Sequence, residues 1–126
     1  MENNSSVLKT ENTIVDLSMI YGICGDDKEL TAKMITVFVT NIAGTVEKLN
    51  LFFEQKDWQN LYKSAHSAKS SLSIVRIPEL FDWVLTIEQS AKAEKNLHLI
   101  SDLIPKTTST YWQVESLLKE SFELKY

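Results

Sequence analysis

Between Trp58 and Val75 the apolar residues Trp58, Leu61, Ala65, Ala68, Leu72 and Val75 fall at intervals of 3, 4, 3, 4 and 3. That spacing lines one side of an α-helix and forms a seam that packs against other helices. A strand would need alternation of period two, which is absent here. The same rhythm runs through three other segments. Leu30, Met34, Val37, Phe38, Ile42, Val46, Leu49 and Phe53 form a stripe about seven turns long. Ile77, Leu80, Phe81, Val84, Ile87 and Ala91 form the next. Ile100, Leu103, Thr107, Tyr111, Val114, Leu118 and Phe122 form the last, in phase across Pro105, so one helix bent at the proline is expected there.

Punctuation agrees with the stripes. Asp26 or Asp27 can cap the first long helix and Asp57 the second. Pro78 suits a first helical turn, and "KAEKN" closes the third helix. Asn12 or Thr13 is expected to cap a short helix carrying Ile14, Leu17, Met19 and Ile20, stopped by "YGICGDD". Short connections make successive helices antiparallel neighbours. The expected fold is all-α: an antiparallel up-down four-helix bundle with a short extra N-terminal helix. Residues 1–12 read as a flexible polar tail and residues 13–126 as one bundle domain. With only 3 Gly and 2 Pro in 126 residues, turn-rich β architectures are disfavoured.

Composition narrows the function. A net charge of −4 with interspersed signs provides no basic footprint, so no nucleic-acid partner is expected. No apolar run reaches the length of a membrane span, and the polar opening MENNSSVLKTEN lacks a signal-peptide core. Cys24 is the single cysteine, which suits a reducing compartment. A cytoplasmic protein is expected, and a monomer, since one bundle uses up the apolar stripes. No cofactor is expected, and no metal: Glu-x-x-His pairs are missing and the stripes are apolar. Cys24 reads as a small buried residue; Trp58, Trp83 and Trp112 read as core or core edge. Asp57, Asp82 and Glu88 read as caps or solvated faces, and His98 as solvent-facing.

Within "SAHSAKSSLS" (residues 64–73) a histidine and a lysine stand three apart among short side chains. Helical geometry turns His66 roughly 130° from the seam, toward solvent. Lys69, one turn on, can reach a group attached to the imidazole. Tyr62, Ser67, Ser70 and Ser73 share the exposed surface. An exposed helical histidine is usually a plain surface residue. Here the serines remove bulk, and Ala65 and Ala68 allow close packing behind the ring. Neutral imidazole is nucleophilic near pH 7, and a phosphoramidate passes its phosphoryl group on readily. Antiparallel pairing sets Gly44 and Thr45 level with His66 on one neighbouring helix and residues 86–89 on the other. Close helix packing or room for a partner both account for Gly44.

"LYKSAHSAKSSLSIVRIPELFDWVLTIEQSAK" resembles the core of a histidine-containing phosphotransfer (HPt) domain. That family shows an Ala-His pair, a Lys three residues later and usually a Gly next, then a helix with a Leu-Glu or similar pair. "VDLSMIYGICGDDKELTAKMITVFVTNIAGTVEKLN" resembles its opening, and "DWQNLYKSAH" its turn into the histidine helix. The likeness covers roughly residues 14–120. It implies a phosphorelay intermediate, with His66 as phosphoacceptor and Lys69 and Ser70 steadying the phosphoryl oxygens. Tyr62, Ser67, Ser73, Gly44 and Thr45 would meet the partners: receiver domains of a hybrid sensor kinase and of a response regulator. The chain would be a carrier rather than an enzyme, since glycine-rich nucleotide loops are missing. Ser70 and Arg76 stand where many members have Gly, which bears on access and on the turn after the histidine helix. The alternative is an HPt-like adaptor that binds a receiver or kinase helices without being phosphorylated.

Overall fold

The computed structural model describes residues 6–125. Two short antiparallel strands, β1 (Val7–Lys9) and β2 (Ile14–Asp16), precede five helices. These are α1 (Ser18–Cys24), α2 (Lys28–Glu54), α3 (Trp58–Leu72), α4 (Pro78–Ala93) and α5 (Leu97–Ser121). The fold is therefore mostly helical, and the hairpin corrects the all-α expectation. It also corrects the expected tail, because Val7–Lys9 are paired; residues 1–5 lie outside the described residues. The short helix begins after Leu17, not at Asn12 or Thr13, and includes Tyr21 to Cys24. Ile14 belongs to β2, its register fixed opposite Lys9. The helix ends where Gly25 takes φ 61°, a left-handed angle that glycine adopts without steric cost.

Each long helix starts for a legible reason. The Asp27 carboxylate accepts from Leu30 N–H at 2.9 Å, and the Asp57 carboxylate from Asn60 N–H at 3.2 Å. Pro78 sits in the first turn of α4. Pro105 lies inside α5, which runs through it as one helix. Packing closes a ring, with α2 against α3 and α5, and α4 against the same two. Its interior holds Ile35, Leu61, Ala65, Val75, Ile77, Ile87, Ile100, Tyr111 and Leu118. Among the described residues no helix is long and apolar enough to cross a membrane.

The inner face of α2 differs from its expected stripe in the first half. Thr31, Ile35, Phe38 and Val39 point inward, whereas Leu30 and Val37 are exposed. Trp112 is exposed too, while Trp58 and Trp83 pack at the edge of the core. Cys24 is buried, as expected.

The hairpin is anchored as well as folded. Asp16 N–H donates to Arg76 C=O at 2.7 Å and Arg76 N–H donates back at 3.0 Å, tying β2 to the α3–α4 turn. Val15 and Leu17 are fully buried beneath it. Arg76 has no positive φ, so this turn does not require a glycine at that position.

Candidate functional site

The site is assembled by α3 and α4. On α3 the alanine seam is buried, and its back leaves His66 facing outward with 62% of the side chain exposed. On α4, Val84, Ile87, Glu88 and Ala91 share the buried side. Glu88 is thus not the solvated residue that sequence reasoning made it; its side chain is only 9% exposed. Its Oε2 lies 2.6 Å from His66 Nδ1 and its Oε1 2.7 Å from Lys69 Nζ. One carboxylate bridges the two residues singled out in the sequence, and residues 86–89 were the stretch expected level with His66.

Burial is the largest influence on the Glu88 carboxyl and pushes its pKa up. Hydrogen bonds from Lys69 and His66, with the positive charges behind them, together outweigh it and hold the pKa below the ordinary value. Glu88 is therefore ionised at neutral pH and can only accept. In the neutral His66 ring the proton must then sit on Nδ1, and the lone pair on Nε2, on the side of the ring away from Glu88. The arrangement fixes the tautomer and leaves one nucleophilic nitrogen facing outward. Lys69 is 25% exposed and already holds Glu88 rather than extending freely.

The other expected site residues separate. Tyr62, half-buried, sets its ring 6.2 Å from the His66 ring, and Lys92 Nζ lies 5.4 Å from the Tyr62 centroid. The pairings of Tyr62 with Lys92 and His66 with Glu88 show that α3 and α4 run antiparallel. Ser67 and Ser70 are exposed on α3, keeping the surface around His66 low. Ser73 instead helps to close the helix end, where its hydroxyl donates to Ser70 C=O at 2.7 Å. Thr45 bonds its own helix at Asn41 C=O, 3.0 Å away. A Cβ added to Gly44 would meet nothing within 4 Å, so close helix packing does not explain that glycine.

A groove of about 240 Å³ between α2 and the end of α3 was not foreseen. Met34, Val37, Phe38 and Ile74 supply most of its apolar wall, and Ser71 and Lys33 its polar edge.

A family model described as Hpt domain matches residues 33–122. No curated protein and no solved structure gives a match.

Proposed function

The chain belongs to the Hpt domain family, and on that premise we propose that His66 is the phosphoacceptor of a phosphorelay carrier. Membership implies histidine phosphotransfer in phosphorelays. The finer reading is that a receiver's aspartyl phosphate donates to His66 and a second receiver's aspartate takes the group away. The observation that carries it is the Glu88 clamp on Nδ1, which leaves Nε2 outward with its lone pair.

Chemistry follows from that geometry. Nε2 attacks phosphorus, the N–P bond forms, and the O–P bond to the aspartate breaks to release a carboxylate. No proton has to move. The ring keeps its Nδ1 proton and becomes cationic, beside an ionised Glu88 at 2.6 Å that stabilises the charge. Return to an aspartate reverses each step. Lys69 can share its ammonium between Glu88 and the phosphoryl oxygens, since it has three donors. Ser70, small and exposed, keeps the approach open. The donor's own carboxylates and metal ion would supply the rest. Tyr62, Ser67, Gly44, Thr45 and the groove beside Ile74 are the surface on which a receiver would rest, with Ser73 at its margin. We place the carrier in the cytoplasm, acting as a monomer.

The test is transfer from a phosphorylated receiver domain of the same genome to wild type and to His66→Gln. Label should appear on wild type alone, in an acid-labile and alkali-stable linkage. Receivers that bind both proteins equally and transfer to neither would establish the adaptor instead.

A further inference from the structure

We propose that the face between α2 and α5, across the bundle from His66, is a docking surface for a basic helical segment of a partner protein, anchored on Trp112 and held by Glu47 and Glu54. The inference begins from an aromatic ring that the fold leaves in solvent. Trp112 is 44% exposed. Its indole is braced from behind: the buried Tyr111 ring stands 5.2 Å away, and Tyr111 is itself tied to α2 through Val39 C=O. A pre-oriented, exposed tryptophan is the type of side chain that dominates binding interfaces.

An open groove of about 790 Å³ runs beside the ring. Pro105, Thr108, Ser109 and Ser116 of α5 line it, with Asn50 of α2. From Pro105 to Ser116 is about 16 Å, three turns of a helix. Residues 107–114 of α5 carry no charge. Charge comes from α2 instead. Asn50 bonds Thr108 at 2.9 Å while Tyr111 reaches back to Val39, so the two helices run antiparallel in a defined register. Glu47 and Glu54 lie three residues before and four after Asn50, on its side of α2. One turn along α5 and one turn back along α2, Trp112 and Glu47 stand level; Pro105 and Glu54 do so at the other end. Both glutamates are exposed, and among the described residues neither has an ion pair. Lys106 lies two residues before Thr108, so roughly on the opposite side of α5.

This arrangement selects its occupant. Carboxylates seven residues apart, about 10 Å along α2, match Lys or Arg side chains seven apart on a docked helix. The neutral groove takes an apolar residue between them, and the Trp112 face can receive one of the cations. An acidic helix would repel the glutamates, and a purely apolar one would bury them unpaired. The α2–α5 edge lies opposite the α3–α4 edge in the ring of helices. A partner seated there leaves His66 open, so it can tether the carrier without blocking it.

The experiment titrates the full chain into a fluorescein-labelled synthetic helix with two Arg seven apart and Leu between them, read by anisotropy. A second peptide carries Glu in place of each Arg. Wild type should bind the basic peptide, more weakly as salt rises, and leave the acidic one free. Trp112→Ala, and Glu47→Gln with Glu54→Gln, should each weaken binding by about tenfold. Glu11→Gln with Glu79→Gln removes equal charge elsewhere and should not. Amide shifts in nitrogen-15 NMR should cluster on α2 and α5 around Trp112. No binding by wild type, equal binding by all variants, or shifts centred on His66 would each overturn the inference. So would self-association of wild type that Trp112→Ala abolishes, since a second copy would then be the occupant. Should Trp112→Ala fail to fold, the glutamate pair decides. No phosphoryl transfer enters the readout, so the outcome is separate from that for His66.

Discussion

At the scale of single residues, Glu88 ties stability to pH. Its carboxyl pKa is depressed on folding despite burial, through Lys69 and His66. A group depressed on folding contributes stability that is fully present above its unfolded pKa and lost as pH falls through its folded one. Urea unfolding should therefore show wild-type stability declining below the ordinary glutamate range, with a shallower decline in Glu88→Gln. The glutamine keeps one acceptor oxygen for Lys69 and presents its amide N–H to His66, so the fold should be kept and neutral-pH stability should fall by about 2 kcal/mol. A Glu88→Gln curve parallel to wild type throughout would remove the carboxylate from the acid response. Glu88 was also readable in principle. Val84, Ile87, Glu88 and Ala91 follow the i, i+3, i+4, i+7 pattern of a buried stripe, and the single acid among them signals an ion pair. Its charge had instead placed it among solvated residues.

At the scale of elements, the histidine helix depends on its start. Asp57 accepts both from Asn60 N–H and from the Asn60 side-chain amide, at 3.2 and 2.7 Å. Asp57→Ala should destabilise the protein by about 1 kcal/mol in a denaturant titration, with Asp57→Asn recovering most of the loss. Unchanged stability would mean that packing alone positions α3. Legibility differs sharply between elements. The α3 seam was clear because its apolar residues are separated by polar ones, so only one face fits. In α2 the run "MITVFV" has only Thr36 to interrupt its apolar surface, and periodicity could not choose between Val37 and its buried neighbours Ile35 and Val39. The hairpin was hidden by brevity: three-residue strands carry too little alternation to compete with a helical reading. The β-branched pair Ile14 and Val15, after a polar "KTENT" turn, was its signal.

At the scale of the molecule, α2 and α5 are joined by more than apolar contact. The buried Tyr111 hydroxyl donates to Val39 C=O at 2.6 Å, and Asn50 bonds Thr108 at 2.9 Å. Tyr111→Phe keeps the ring and removes the donor. It should cost about 1 kcal/mol by urea titration, with phosphotransfer retained because the site lies on α3 and α4. A loss of transfer at full stability would contradict the separation of core from site. The match over residues 33–122 begins within α2, so the anchored hairpin lies outside it. Its two bonds to Arg76 enclose α1, α2 and α3 within one loop of chain. Closing such a loop early would sacrifice much conformational freedom for little return. The N-terminal strands therefore gain their seat only after α2 and α3 have met and turned. In a refolding chain the hairpin is among the last elements to find its place.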